Sequence, residues 1–428
     1  MSSWRRRTVL VIAAALAAGG CTSGSDSGKP APPSEVRIGL LAPMSGPNKG
    51  AGQDAQRGAQ LAADVVNGIN ALIPLPLAEG SGLTNLGNAR IRIVTADTQG
   101  KEVRGATETT RLVSDQGAVA VIGAYDPDVT LQASLRAERT PVPFLNADTS
   151  LSFLTDRGLD WFFHLGPSVR TSGEAFFSLI KTQQSPTRPI SQVAVLHSSD
   201  RAGNDVSAVI SELAEEGGFK VTKSLGYDPD TVNLGDLSNQ VGEIQAANPD
   251  VVFVSPTAST VPLMVQAFAQ RQYKPQAVMA YGSGYITDES LKEAGPTTAG
   301  LCREAAWSYE VASRNLAARA VSTLYQSKFN IPMTEEAADA FTAVLTLAIA
   351  INNAGSVDVR RIRSALLSLD IAGEDTIMPW QGIRFDETHQ NVGAASIVEQ
   401  FLNKSFHTVF PLDAAGKNKL VWPAGIAT

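Results

Sequence analysis

Val119-Ala-Val-Ile-Gly-Ala-Tyr-Asp126 leads into a helical stretch and then into Pro143-Phe-Leu-Asn-Ala-Asp-Thr149. Asp250-Val-Val-Phe-Val-Ser-Pro-Thr257 leads into another and then into Ala277-Val-Met-Ala-Tyr-Gly-Ser283. In each half a short apolar, β-branched run ends in small and polar turn formers, as a buried strand does before a loop. Val129 to Arg139 and Thr260 to Gln270 carry the intervening helices. The two halves share an order of elements but little sequence. This duplication of topology predicts two similar α/β lobes rather than one large sheet.

The pattern extends outward from both units. Val36 to Leu41 reads as a strand, Ala42 to Gly52 as a loop of turn formers, and Asp54 to Asn67 as a helix with Ala55, Ala59, Ala62, Ala63 and Val66 on one face. A strand over Ala89 to Ala96 and a helix over Lys101 to Gln116 complete the approach to Val119. In the second half Val193 to His197 is strand, Ser198 to Gly203 loop, Asp205 to Glu216 helix, Phe219 to Leu225 strand and Leu234 to Ala247 helix. Strands alternating with helices predict an α/β fold, each lobe a mainly parallel sheet flanked by helices. Ile69 to Asn88, rich in Pro, Gly and Leu, breaks the alternation and reads as a loop insertion.

The first residues have another character. Arg5-Arg-Arg7 precedes an apolar run from Val9 to Ala18 and then Gly19-Gly-Cys21. A basic start, a short apolar core and small residues before a cleavage point make an export signal over 1–20. The run is too short to cross a bilayer as a stable helix. The cysteine after small residues resembles a lipobox, with Ala18 where such motifs more often carry Leu, and the expectation is that Cys21 carries a lipid anchor. Residues 21–34, rich in Gly, Ser and Pro, read as a flexible tether. The mature chain is expected outside the cytoplasm, anchored to the bacterial cell membrane.

Composition excludes several classes of function. There are 42 acidic and 35 basic Lys and Arg residues, a net charge of −7 with no basic run after the signal, so nucleic acid is not an expected partner. The two cysteines are Cys21 and Cys302, and lipid on the first leaves no disulfide to form. His164, His197, His389 and His407 are scattered without metal-ligand spacing, and none has a Ser or Cys partner in a recognisable catalytic arrangement. Gly50-Ala-Gly52 lacks the rest of a nucleotide-binding fingerprint. The expectation is a binding protein without a cofactor or metal rather than an enzyme.

In open parallel sheets, ligands bind beyond the carboxyl ends of the strands. The loops in that position are 43–52, 124–128 and 146–150 in the first lobe, and 198–204, 255–260 and 282–285 in the second. Two such lobes facing each other form a cleft that closes about a hinge.

Several segments, in their order and spacing, carry a resemblance. They are Val36-Arg-Ile-Gly-Leu-Leu-Ala-Pro-Met-Ser-Gly-Pro47, Gly58-Ala-Gln-Leu-Ala-Ala-Asp-Val-Val-Asn67, Val121-Ile-Gly-Ala124, Val142-Pro-Phe-Leu-Asn-Ala-Asp-Thr149, Asn248-Pro-Asp-Val-Val-Phe-Val254 and Ile383-Arg-Phe-Asp386. The chain resembles, over residues 35–412, the substrate-binding lipoproteins of ABC transporters of the branched-chain amino-acid (leucine/isoleucine/valine-binding) type, with the type I periplasmic-binding fold. The resemblance implies three crossings between lobes, near His164 to Pro167, Leu301 to Tyr309 and Trp380 to Ile383. It places lobe 1 at 35–164 and 306–380, and lobe 2 at 165–305 and 381–428. The implied function is capture of a small polar solute, an amino acid or related compound, for delivery to an ABC permease. A lipoprotein that senses the solute and signals to a membrane receptor is the alternative.

Members of this type hold a ligand carboxylate on backbone amides and a hydroxyl of the loop matching Asn146 to Thr149. This points to Ala147 and Thr149, although Thr149 could instead cap a following helix. Tyr125 and Asp126 form the neighbouring contact. The second lobe departs from the amino-acid pattern, because Tyr281 to Tyr285 offers Ser283 but no acid for an ammonium group. Asp126 or Asp148 could supply that charge, or both could be helix caps. Arg201 could pair with an acidic ligand group, and Thr257 completes the expected contacts. Trp307 and Tyr309 are expected at the hinge.

Overall fold

The structure, a computed structural model, describes residues 32–282, 284–294, 300–412, 415–416 and 418–424. The lipidation expected at Cys21, the preceding signal and the tether up to residue 31 lie outside the described residues, as does Ser283.

The chain first builds β1 (Glu35–Ala42), α1 (Lys49–Asn67), β2 (Arg90–Asp97), α2 (Glu102–Thr110), β3 (Ala120–Ile122), α3 (Pro127–Arg139), β4 (Phe144–Asn146) and β5 (Phe162–His164). It then builds α4 (Val169–Gln183), β6 (Gln192–Ser198), α5 (Arg201–Gly217), β7 (Lys220–Tyr227), α6 (Leu234–Ala247), β8 (Val251–Ser255), α7 (Val261–Gln270), β9 (Ala277–Ala280), α8 (Asp288–Ala294) and β10 (Cys302–Ala305). Next come α9 (Tyr309–Ala312), α10 (Leu316–Phe329), α11 (Glu335–Ala354), α12 (Val359–Leu367) and the short pair β11 (Ile371–Ala372) and β12 (Gly382–Ile383). The hairpin β13 (Ile397–Leu402) and β14 (Ser405–Phe410) follows.

One sheet is wholly parallel in the order β2-β1-β3-β4-β5. The other runs β14-β13-β10-β9-β8-β6-β7, parallel from β7 to β10 and antiparallel at β13 and β14. The two lobes read from the duplicated pattern are therefore present, each a mainly parallel sheet with helices on its faces. Their central strands are buried along nearly their whole length, which is why they read as continuous apolar runs rather than alternating ones.

The first core is organised by α11. Thr334 caps its start by accepting from the Ala337 N–H, Glu335 and Glu336 suit the positive end of the helix, and Gly355 closes it in the left-handed conformation. Its length and apolar composition would suffice to cross a bilayer, yet it is buried among α1, α12 and β3, as an all-round apolar core helix must be. Gly58 of α1 lies so close that an added Cβ would sit 1.9 Å from the Ala337 carbonyl oxygen, so only glycine permits this approach. The insertion at 69–88 has a structural use. Leu75, Leu83 and Leu86 are buried in this core. Asn85 bonds to Asn352 at 2.9 and 3.0 Å, which satisfies the last turn of α11.

The chain changes core between His164 and Val169 and between Ala305 and Ala306, where β5 and β10 end. The third crossing lies further on than Trp380 to Ile383. Ile383 and Phe385 still pack in the first core, and the chain joins the second sheet only at Ile397. The reason is local: His164 N–H donates to His389 O at 2.9 Å and Asn391 N–H to His164 O at 2.8 Å, stitching this turn to the end of β5. Trp307 is buried in the first core with its indole N–H on Ile377 O at 3.1 Å, consistent with the hinge rather than a ligand contact. Cys302, the cysteine within the described residues, is buried as a free thiol.

Candidate functional site

The carboxyl ends of both sheets face one another across a cavity of about 390 Å³. Its first wall is the loop after β3 and the loop after β4. Its second wall comes from the start of α5, the loop after β8, the loop after β9 and the end of β10.

The first wall is tied together internally. Gly123 has φ +116°, and a Cβ there would sit 2.0 Å from Leu41 O, so glycine is required for the turn out of β3. Tyr125 follows with φ +74°, a strained conformation for a bulky residue. It is held by Thr149, whose Oγ1 donates to Tyr125 O at 3.0 Å and meets Thr130 Oγ1 at 3.1 Å. Asn146 Nδ2 donates to Gly123 O at 2.9 Å and its Oδ1 accepts from Thr149 N–H at 3.3 Å. Thr149 lines the cavity but is nearly buried, and it caps no helix.

Asp126 occupies the N-cap position of α3 without capping it. Its Oδ1 accepts from Asn48 Nδ2 at 2.6 Å, while Oδ2 is buried with no hydrogen-bond partner among the described residues. Asp148 lies beside it. Burial, reinforced by Glu336 and Asp126, pushes the Asp148 carboxyl up to about 7, against the pull of the Tyr125 amide. Burial also raises Asp126 above the usual carboxylate range. The Tyr125 hydroxyl is raised by burial and by Glu336, Asp126 and Asp148.

On the second wall Tyr281 is buried, its hydroxyl donating to Val169 O at 3.1 Å and its ring 5.3 Å from that of Phe176. Gly282, with φ +118°, passes directly beneath the Tyr285 ring. Glu304 reaches the same loop from β10, where Oε1 accepts from Gly282 N–H at 2.8 Å. The pairing of Arg303 with Ala280 places Glu304 beside Tyr281. Behind it Arg303 binds Glu399 at 2.7 Å and lies 3.9 Å over the Phe406 ring.

The walls also touch directly. Tyr125 Oη donates to Gly284 O at 3.2 Å, and Ser152 N–H to Asp205 Oδ2 at 2.8 Å. Arg201 lies 3.9 Å from Asp128 and 5.3 Å over the Phe153 ring. This is a closed cleft, with polar groups from both lobes enclosing a space large enough for a small solute.

Of the residues expected from sequence, Tyr125, Asp126, Asp148, Thr149, Arg201 and Thr257 line this one cavity. Ala147 does not; it is buried beneath the wall, beside Leu40 and Ala340. Arg201 is exposed at the mouth and spans to the other lobe. Glu304, like Val169 and Val206, lines the cavity from outside every loop that the sequence points to. The available signal was Arg303-Glu304, two charged residues within an otherwise apolar strand.

With this geometry, comparison with known proteins gives a consistent assignment. Residues 35–404 match the Periplasmic binding protein family, and the chain belongs to it. The Leu/Ile/Val-binding protein homolog 7 of Brucella suis biovar 1 (strain 1330) is 24% identical over 432 residues, covering 98% of this chain and 99% of that protein. The leucine-binding protein LivK from Thermotoga maritima superposes with a TM-score of 0.70 at 19% identity, over 87% of this chain and 97% of its own. A solute-binding protein of an ABC transporter from R. palustris, solved in complex with benzoate, superposes with a TM-score of 0.66 at 16% identity, over 92% of this chain and 98% of its own. The branched-chain amino-acid-type resemblance and the two-lobed type I fold expected from sequence are thus both met.

Proposed function

We propose that this chain is the extracytoplasmic solute receptor of an ABC importer, held to the membrane through lipid on Cys21. It captures a small polar solute, an amino acid or related compound, and presents the closed form to a permease. The observation that carries this reading is the enclosed cavity at the carboxyl ends of two parallel sheets, with the walls in direct contact through Tyr125 and Gly284. The membership of the family and the name of the Brucella relative support it. Solute that contacts both walls only in the closed form shifts the population toward closure by that difference in contact energy.

The test is a thermal-shift screen of the purified chain against amino acids, amines, amides, aromatic acids and sugars. A solute at about a thousand times its Kd stabilises by roughly 4 kcal/mol, a clear rise in Tm. A saturable rise with one chemical class is expected. A Tm unmoved by every class would overturn the receptor reading.

A further inference from the structure

The charge and hydrogen bonding of the cleft narrow the solute, given the receptor reading above. Among the described residues lining the cavity, five are carboxylates (Asp126, Asp128, Asp148, Asp200 and Glu304) and one is a base, Arg201. That base is at the mouth, already engaged with Asp128 and the Phe153 ring across the cleft. Several of the donors that could receive an anion are committed to the protein itself. The Thr149 hydroxyl donates to Tyr125 O, the Thr149 amide to Asn146, the Asn48 amide to Asp126, and the Gly282 amide to Glu304.

Carboxylates line both sides. A carboxylate has about four lone-pair sites, so Glu304 can accept from Gly282 and from a solute together. Asp126 and Asp148 face it from the first wall, with Glu336 reinforcing the upward push on the Asp148 carboxyl. A solute carboxylate entering here would meet like charge in a partly desolvated space. An ammonium or guanidinium would meet compensating charge, and Tyr125, Tyr281 and Tyr285 line the same space.

We infer that the solute is a cation without a carboxylate, an amine or guanidine of a few carbons, held between Glu304 on one wall and Asp148 with Asp126 on the other. The raised Asp148 carboxyl agrees with this, because a cation bound beside it would favour its charged form.

The test titrates the purified chain with butylamine, butane-1,4-diamine and 4-guanidinobutylamine, and with leucine and benzoate as zwitterion and anion, by calorimetry and thermal shift. Binding is expected from the amine set and not from leucine or benzoate. Glu304→Gln, which keeps an acceptor for the Gly282 amide, should weaken amine binding about tenfold to a hundredfold. Asp148→Asn, on the other wall, should act in the same direction and covers the case in which Glu304→Gln fails to fold. Absence of binding by all three amines overturns the inference. So does amine binding that neither folded variant weakens. If leucine, benzoate or another class in the screen binds in place of the amines, the receptor reading stands and the cation assignment falls. If no class binds, both fall.

Discussion

The two walls of the cleft are built on opposite plans. The first is a closed network of short side chains, in which Thr130, Asn146 and Thr149 bond to each other and to the backbone around Tyr125. These bonds hold a strained turn in place beside the Asp126 and Asp148 carboxyls. The second wall is a charged layer. Glu304 stands at its surface, and Arg303 and Glu399 form a nearly buried pair beneath it, with Glu335 packed across from the first lobe. One wall is rigid through neutral hydrogen bonds, the other through ion pairing in a low-dielectric setting. The first should respond to substitutions by small, local losses. The second should fail sharply when its charge balance is broken.

The largest expected effect tests that contrast. Burial works against the charge of Arg303, yet Glu399 and Glu335 hold its guanidinium above the usual range. Removing it leaves the buried Glu399 uncompensated. Arg303→Ala should cost about 3–5 kcal/mol of unfolding free energy, read by urea denaturation. A loss below about 1 kcal/mol would mean that the pair adds nothing to the second wall.

The next prediction concerns pH. Folding pushes the Asp148 carboxyl up to about 7, whereas the unfolded chain releases its proton near the ordinary carboxylate value of 3.8. Between those values the folded state binds more protons, so stability declines as pH rises from about 4 to 7 and levels off above. Glu336 and Asp126 reinforce the shift and the Tyr125 amide opposes it, while Asp339, facing Asp148, is itself raised by it. Asp148→Asn should flatten the decline by on the order of 2 kcal/mol once solvent screening is allowed for. Melting temperatures across pH 4.5 to 8 would check it, and an unchanged slope would remove Asp148 as a source.

The smallest effect is expected where the walls meet. Tyr125→Phe deletes the hydrogen bond to Gly284 O and leaves the ring in place. It should weaken closure by about 1 kcal/mol or less, a few-fold loss of affinity with unchanged thermal stability of each lobe. Small-angle scattering of the solute-free protein should report a modest rise in radius of gyration. An unchanged open–closed balance would assign closure to Ser152–Asp205 and Arg201–Asp128 instead.

Much of this architecture was legible from residue order. Helix α6 has the bounds Leu234–Ala247 that its sequence predicts, since the spacing of Leu237, Val241 and Ile244 is a local signal. Helix α5 begins earlier than the reading from Asp205, since Asp200 caps it by accepting from Gly203 N–H, a signal masked by the polar loop. The first-wall residues were legible because each follows its own strand directly. The Ala147 side chain packs beside Leu40 and Ala340 while Asp148 and Thr149 line the cavity, because successive side chains leaving β4 point different ways.

Periodicity and turn chemistry are properties of neighbouring residues, so the sequence alone determined two α/β lobes and the loops at their carboxyl ends. Pairing between distant strands is not local. Only the tertiary structure set β10 against β9 and thereby brought Glu304 to Gly282, giving the second wall the acid that its own loop lacks. The same long-range packing spent the Thr149 hydroxyl on Tyr125 and gathered carboxylates from both walls around one space. The charge of a site depends on which side chains converge, and convergence is decided by the fold as a whole.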